Sequence, residues 1–192
     1  MHFLASAERY QLMSHIDRWV VRASLTALAG GAVMDTGCYA IHMNRTVAGE
    51  EPEVRSAEAR TARPGVDRWT RAQLAYPSGV TGTMTCALFS STLLKVALRA
   101  EGTDGEIRVF NPTGPQFGYR LTVRRGGTKG RIRVDGAKTA TYTYQLRAFA
   151  AAVRDGAPVL TPPTDAVANM RVIDAVYEAA GLGRREPSTP PA

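Results

Sequence analysis

Three polar side chains interrupt the small, apolar run GGAVMDTGCYAIH, which extends from Gly30 to His42. Asp35, Tyr39 and His42 are separated by four and three residues, and this spacing places them on one face of an α-helix because 3.6 residues make a turn. A carboxylate, a phenol and an imidazole are groups that hold or transfer protons in enzymes. The pattern predicts a helix that turns a row of acid/base groups toward a cleft.

The helix that carries this polar row has an apolar stripe and a clear end. Met34, Cys38 and Ile41 recur at helical spacing beside the polar row, so that the helix can bury a stripe against a sheet or another helix. Gly49 is a suitable stop, since glycine readily adopts the left-handed conformation that often ends a helix. We expect a helix over about Asp35–Ala48.

Each residue of the polar row also has a purely structural interpretation. An aspartate in the first turn stabilises the positive end of a helix, so Asp35 could serve as a cap. Tyr39 could lie at the edge of the core with its hydroxyl in water, and His42 could be a partly buried, hydrogen-bonded histidine. The spacing alone leaves both interpretations open.

The stretch from Glu53 to Asp135 consists of short runs separated by Gly, Pro and Asp. Apolar and polar residues alternate in runs such as EIRV and RLTVRR, and this predicts strands that are half buried on one face. The pairs Ser78-Gly79 and Asp104-Gly105 lie between such runs at hairpin spacing, which favours antiparallel neighbours. No long helix intervenes, and this excludes a doubly wound, Rossmann-type nucleotide-binding sheet.

Two further helices are expected near the end of the chain. The first ends at Gly156, and the second is capped by Thr164 or Asp165 and stops at Gly181. Their apolar positions are Tyr142, Leu146, Phe149, Ala150 and Val153 in the first, and Ala166, Met170, Ile173, Tyr177 and Ala180 in the second. The order of elements predicts an α+β fold with helices packed on one face of an open, mainly antiparallel sheet of about six to eight strands.

The composition limits the classes of protein to which the 192 residues can belong. A net charge of +7 favours anionic partners, but the arginines are scattered without interleaved aromatic residues, so we expect no nucleic acid. The apolar run 23–34 is too short to span a bilayer, and we expect no membrane segment or export signal. Cys38 and Cys86 are too few for a disulfide framework or a zinc site, which favours the cytoplasm and no metal.

Six motifs along the chain carry a resemblance to a known family. They read, in order, GGAVMDTGCYAIH, EPEV, YPSG, GTDGEIRV, YTYQLRAFAAAVRDG and DAVANMRVIDAVYEAAGLG. Together they resemble the C-terminal, substrate-binding half of the Gfo/Idh/MocA family of NAD(P)-dependent oxidoreductases. The resemblance implies a poorly defined segment 1–28, a substrate-binding and oligomerisation domain over 29–184, and a disordered tail 185–192.

The resemblance also implies roles for the polar row. In the family, the helix after the Gly-Gly pair carries a residue that exchanges a proton with the substrate, together with a lysine, while hydride passes to or from nicotinamide. By this resemblance Tyr39 is the acid/base residue, Asp35 is its partner and His42 contacts the substrate. The implied substrate is a sugar, a polyol or a cyclic diol, and the implied cofactor is NAD or NADP.

The nucleotide-binding half of the family is not recognisable in the sequence. No Gly-x-Gly-x-x-Gly follows a predicted strand, no Glu-Lys-Pro occurs, and GLGRRE follows a helix. The implied function is the substrate-binding domain of a truncated or split NAD(P)-dependent oxidoreductase, which needs a separate nucleotide-binding domain for activity. The alternative is a noncatalytic dimerisation or small-molecule binding module, because the open sheet of the family commonly forms a homo-oligomer interface.

Overall fold

The computed structural model describes residues 31–88 and 95–184. The elements are a π-helical segment, Val33–Gly37, called here the π segment; helix α1 (Cys38–Ala48); strands β1 (Glu53–Arg63), β2 (Val66–Ala75), β3 (Thr81–Ala87), β4 (Ala97–Gly102) and β5 (Gly105–Phe110); a 3₁₀ turn, Pro115–Phe117; strands β6 (Arg120–Arg125) and β7 (Thr128–Ile132); and helices α2 (Thr141–Asp155) and α3 (Pro163–Ala179). The predicted segments 1–28 and 185–192 lie outside the described residues, and the domain boundaries stay predictions.

Two antiparallel sheets contain the seven described strands. β1, β2 and β3 form one sheet in that order, and β4 to β7 form the other in that order. Both predicted hairpins are confirmed, since β2 pairs antiparallel with β3 and β4 pairs antiparallel with β5. In the first, the Gly79 amide closes the turn by donating to the Tyr76 carbonyl at 2.9 Å. The α+β class with open antiparallel sheet is confirmed, but the strands are divided between two sheets, because alternation identifies a buried face without identifying the partner strand.

Residues 31–88 and 169–184 form one compact unit, in which α1 and α3 contribute to a core with β2 and β3. Ile41 of α1 is fully buried, and Met34 and Cys38 pack against the same core, so the predicted apolar stripe of the first helix is confirmed. Leu74 of β2 and Met84 of β3 are also fully buried. Burying side chains of this size stabilises the fold by about 1.5–3 kcal/mol each.

Helix α3 supplies the opposite side of this core. Its buried residues are Val172, Ile173, Val176 and Tyr177. Ile173 and Tyr177 were predicted from the helical spacing, whereas the predicted Met170 is 39% exposed. The buried face is therefore centred nearer the end of the helix than the sequence pattern indicates.

Residues 95–168 form a second compact unit, which contains the four-stranded sheet and α2. Helix α2 forms where predicted and ends at Gly156, which has a left-handed φ of 64°. Its predicted apolar face is nevertheless exposed: Tyr142, Leu146, Phe149 and Val153 have between 66% and 74% of their surface in contact with solvent. Helical spacing predicts which residues of α2 form the apolar face but not the element on which that face packs. No helix of the described residues is long and apolar enough to cross a membrane.

One face of the four-stranded sheet is organised around a buried carboxylate. Glu106 accepts hydrogen bonds from Arg99, from Arg108 at 2.8 Å and from Arg124 at 2.9 Å. The hydrogen bond from Arg108 is the main reason that the pKa of Glu106 is lowered to about 2. Because this pKa is lower in the folded state, the ion pairs stabilise the unit above the ordinary carboxyl pKa of 4.5 and lose that contribution as the pH falls toward 2.

We expect the Glu106 carboxyl to remain ionised in mildly acidic solution. A carbon-detected NMR titration of the full chain should give a midpoint near pH 2 for this carboxyl, and a Glu106→Gln variant identifies the resonance. The variant should also weaken the pH dependence of unfolding between about pH 4.5 and pH 2. A midpoint close to the ordinary carboxyl value would contradict the ion-pair assignment.

Candidate active site

The residues predicted to form the site lie on the outer surface of the first helical region. Asp35 is exposed, Tyr39 is 56% exposed and His42 is half-buried. Within the described ranges 31–88 and 95–184, no side-chain hydrogen bond or ion pair reaches the Asp35 carboxylate or the Tyr39 hydroxyl. Both groups are therefore accessible from solvent, which is compatible with the acid/base interpretation and with Tyr39 at the core edge, so the assigned roles stay predictions.

The helix that carries the polar row is not a uniform α-helix. Asp35 is the middle residue of the π segment, whereas Tyr39 and His42 lie in α1. A π turn closes i→i+5 hydrogen bonds and is wider than an α turn, so Asp35 has a different angle around the helix axis from the one that regular spacing predicts. Tyr39 and His42 keep the α-helical spacing and lie on one face. This corrects the geometry assumed from the sequence, and π segments of this kind are frequent at functional sites.

A buried aspartate of β2 holds the beginning of the π segment. Asp67 has no exposed surface, and its Oδ2 accepts hydrogen bonds from the Val33 backbone N–H at 3.0 Å and from the Thr70 hydroxyl at 2.7 Å. Its Oδ1 accepts a hydrogen bond from the Tyr177 hydroxyl at 3.2 Å. Strand β2 and helix α3 therefore both fix this segment. Sequence reasoning missed Asp67, because an aspartate at the start of a strand is usually exposed.

Gly31 allows Asp67 to lie close to the backbone at the beginning of the helical region. Its φ is +74°, and a Cβ at this position would lie 2.1 Å from Asp67 Oδ1 and 2.5 Å and 2.8 Å from the Asp67 backbone O and N. The space beside this glycine is therefore filled by a strand and its carboxylate.

The contact of Gly31 with Asp67 shows whether NAD or NADP, the cofactor that the family resemblance implies, could bind at this turn. In dinucleotide sites the glycines before a helix make room for a pyrophosphate at the positive helix end. Here Asp67 takes that space, and its carboxylate would repel a phosphate. The residues at this turn do not fit NAD or NADP. Among the residues that the structure describes, no three His, Cys, Asp or Glu side chains are grouped as a metal site would require.

The far end of α1 is anchored by a buried arginine. Arg45 is 7% exposed and forms two hydrogen bonds with the Glu51 carboxylate, at 2.6 Å and 2.8 Å. It also donates to Asn169 Oδ1 at 3.3 Å, and the Asn169 amide donates to the Cys38 carbonyl at 3.2 Å. The sequence assigned no role to Asn169, which here ties α3 to α1. Both ends of the helical region that carries the polar row are therefore held by other elements.

Cys38 is the first residue of α1 and Cys86 lies in β3, and neither forms a disulfide. Burial raises the pKa of the Cys86 thiol to about 12, and the charge of Asp67 acts in the same direction. Burial also raises the pKa of Cys38. A Cβ on Gly37 would lie 3.0 Å from the Cys86 sulfur, so a glycine at this position lets the helix approach β3.

We expect Cys86 to resist alkylation in the native protein. With a pKa of about 12, roughly one thiol in ten thousand is ionised at about pH 8, and the thiolate is the nucleophile. Mass spectrometry after brief iodoacetamide treatment should find Cys86 unmodified in the native chain and modified after denaturation in urea. Equal labelling in both states would show that the thiol is not buried as described.

The described residues form an α+β domain in which an exposed carboxylate and phenol lie on an anchored helical region beside an antiparallel sheet. A family model described as "Oxidoreductase family, C-terminal alpha/beta domain" matches residues 9–187. The chain belongs to the Gfo/Idh/MocA oxidoreductase family, in the part of the sequence that forms this C-terminal domain.

Two of the curated relatives that the chain matches are named as dehydrogenases. The chain is 34% identical over 160 residues to D-xylose 1-dehydrogenase (NADP(+)) 2 of Haloferax volcanii, covering 81% of this chain and 47% of the relative. It is also 34% identical over 110 residues to human trans-1,2-dihydrobenzene-1,2-diol dehydrogenase, covering 57% of this chain and 31% of that enzyme. The chain thus spans about half the length, or less, of the curated relatives that it matches.

Solved structures show the same fold. Aldose-aldose oxidoreductase from Caulobacter crescentus superposes with a TM-score of 0.70 and 26% identity, over 80% of this chain and 46% of that structure. KijD10, a 3-ketoreductase from Actinomadura kijaniata solved with TDP-benzene and NADP, superposes with a TM-score of 0.67 and 22% identity, over 78% of this chain and 47% of that structure. The matches favour an oxidoreductase domain over a noncatalytic module.

Proposed function

We propose that this chain is the substrate-binding domain of an NADP-dependent oxidoreductase that acts on a sugar, a polyol or a cyclic diol. The observation that carries the proposal is the exposed pair Asp35 and Tyr39, presented by an anchored helix in a domain of this family. The relatives named for D-xylose and for a dihydrodiol support this class of substrate, and the name of the D-xylose relative supports NADP over NAD.

The proposed chemistry of this chain is a proton transfer at the substrate oxygen. Oxidising an alcohol removes the hydroxyl proton, and we assign that proton to the Tyr39 phenol, with Asp35 beside it and His42 in contact with another substrate hydroxyl. Only the ionised phenolate can accept that proton, and a phenol, whose ordinary pKa is near 10, is ionised near neutrality only when a cation stabilises the phenolate. A carboxylate nearby acts in the opposite direction, so the pair requires a cation.

We propose that this cation and the nicotinamide come from a nucleotide-binding domain outside these 192 residues. Within the described residues no lysine or arginine pairs with Asp35, and the Gly31 turn is filled by Asp67. When bound, the nicotinamide supplies the hydride acceptor or donor. The residues of this chain bind and orient the alcohol and handle its proton.

The first experiment separates the two halves of this proposal. Calorimetric titration of the full chain with NADP or NAD should show no binding in the micromolar range, because the turn before the helix does not accommodate a pyrophosphate. Adding a nucleotide-binding domain of the same family should then give NADP reduction that depends on a sugar such as D-xylose, a polyol or a cyclic trans-diol. Micromolar nucleotide binding by the chain alone would contradict the proposed division of roles.

We also propose that two copies associate through the apolar face of the four-stranded sheet. Ile107 and Ile132 are 43% and 45% exposed, and cross-strand partners Val109, Leu121 and Val123 lie on the same face. An exposed apolar face of this kind marks an interaction surface. Sedimentation of the full chain should show a dimer, which Ile107→Lys disrupts.

The control for that experiment lies on the opposite face of the same sheet. Thr122 pairs with Arg108, on the face that carries the charged residues around Glu106. A Thr122→Lys variant should therefore leave the dimer intact while adding the same charge. A wild-type chain that stays monomeric at high concentration would contradict the proposed interface.

A further inference from the structure

We infer that Asp67 is a positioning residue for the proposed site: its buried carboxylate holds the π segment in place and so sets the direction of Asp35. The part of this inference that concerns catalysis rests on the proposed function. The part that concerns the π segment depends only on the contacts described above. Asp67 lies in β2 and is fully buried, so its carboxylate cannot itself reach a substrate and its role is indirect.

The position of the hydrogen bond identifies the segment that Asp67 controls. Its Oδ2 accepts from the backbone N–H of Val33, the first residue of the π segment and two residues before Asp35. The same oxygen accepts from Thr70, and Oδ1 accepts from Tyr177, so the carboxylate is fixed from β2 and α3. A shift of Val33 would therefore break a hydrogen bond to a group that cannot follow it.

Burying a carboxylate in a core carries a large desolvation free energy. Taking an ionised group out of water costs several kcal/mol unless its oxygens are well hydrogen-bonded, and apolar residues of similar size often stabilise a core as well. Val172 and Val176 of α3 fill this core without such a cost. What Asp67 provides beyond packing is directionality, because a hydrogen bond to one backbone amide selects one arrangement of the chain.

The arrangement that it selects is not the default for a helix. A π turn is rare and normally occurs as a single turn within an α-helix, so the segment needs external contacts to persist. Two are visible at its ends: Asp67 at Val33, and the close approach of Gly37 to the Cys86 sulfur. Without the Asp67 contact we expect the segment to loosen or to return to α-helical pairing. Either change would rotate Asp35 relative to Tyr39.

Hydrogen exchange of the full chain, followed residue by residue by NMR, tests the structural part. In Asp67→Ala the amides of residues 33–37 should exchange at least about tenfold faster, beyond any change in the most protected core amides. Asp67→Asn should rescue the segment to within about threefold, because its amide oxygen still accepts from Val33 and its NH₂ can donate to the Tyr177 hydroxyl.

A core variant of matched stability is the control. Val176→Ala removes fully buried methyl groups from α3 without touching the carboxylate. It should lower the protection of all core amides together and leave the π segment no weaker than its surroundings. If Asp67→Ala and Val176→Ala gave the same exchange pattern over residues 33–37, or if Asp67→Asn failed to rescue, the inference would be overturned.

The inferred role of Asp67 in catalysis is tested separately, by steady-state kinetics. In the reconstituted enzyme, Asp67→Ala should lower kcat at least about tenfold with KM changed less than about threefold, because Tyr39 and His42 stay on α1 while Asp35 is misaligned with them. Asp67→Asn should restore most of kcat. If reconstitution gives no activity with any variant, the proposed function fails while the exchange experiment still decides the role of Asp67; if Asp67→Ala keeps full kcat, the positioning role in catalysis is wrong.

Discussion

Replacing Tyr39 by phenylalanine should lower the kcat of the reconstituted enzyme by about a hundredfold or more, the usual scale for losing a general acid/base group. The variant removes only the hydroxyl, and that hydroxyl forms no hydrogen bond among the described residues. The ring is 56% exposed and keeps its volume, so the melting temperature should change by less than about 2 °C. Steady-state kinetics and a thermal melt on the same preparation measure both quantities.

The control for this prediction is another exposed tyrosine. Tyr142 on α2 is 74% exposed and is not part of the polar row, so Tyr142→Phe should change neither kcat nor the melting temperature. Loss of activity without loss of stability, seen for Tyr39 alone, is the pattern expected for a proton-transferring residue. If Tyr39→Phe unfolds the chain while activity survives in the folded fraction, the structural interpretation of Tyr39 is correct and the site assignment is wrong.

The parts of the fold that depend on local sequence could be predicted. Gly49 and Gly156 end their helices in the left-handed conformation, and the hairpin at Ser78-Gly79 forms where its turn residues indicate. The apolar stripe of α1 is buried as its spacing predicts. In each case the signal lies within a few residues of the feature, because caps, turns and periodicity are local properties of the chain.

The parts that depend on distant contacts could not be predicted. Asp67 and Asn169 act on the first helical region from 34 and 131 residues away, and nothing near either of them in the sequence indicates a partner. The π segment could not be predicted either, because the helical spacing of Met34, Cys38 and Ile41 indicates a helix without showing that one turn of it is widened. The division of the strands into two sheets likewise depends on pairing and not on alternation.

The identity of the proposed site residues could therefore be predicted from local sequence, whereas their orientation depends on contacts between distant elements. Asp35, Tyr39 and His42 could be named from their types and spacing, and the structure exposes the first two. Their relative orientation could not be predicted, since it depends on the π segment and on the carboxylate that holds it. Residue types and spacing are enough to propose the site, whereas the inferred orientation of Asp35 rests on the contact of β2 with the beginning of the π segment.

Replacing Gly31 by alanine should lower the free energy of unfolding more than a glycine-to-alanine substitution at Gly37 or Gly49, the described glycines in the π segment and at the end of α1. Its φ of +74° alone costs an alanine about 1–2 kcal/mol. In addition, the new Cβ would lie 2.1 Å from Asp67 Oδ1 and within 2.8 Å of two Asp67 backbone atoms, so strand β2 or the π segment must move. We expect a free energy of unfolding lower by more than about 4 kcal/mol, measured by urea denaturation.

Gly49 provides a matched control for the backbone part of this effect. It has a nearly identical φ of +70°, but a Cβ built on it meets nothing within 4 Å. Gly49→Ala should therefore lower the free energy of unfolding by only about 1–2 kcal/mol. The difference between the two variants isolates the close approach of Gly31 to Asp67, and equal losses would show that the approach does not exist.

The double variant Gly31→Ala, Asp67→Ala should recover little stability, because the backbone O and N of residue 67, at 2.5 Å and 2.8 Å from the new Cβ, remain in place. Recovery in the double variant would instead mean that the carboxylate, and not strand β2 itself, fills the space beside the glycine.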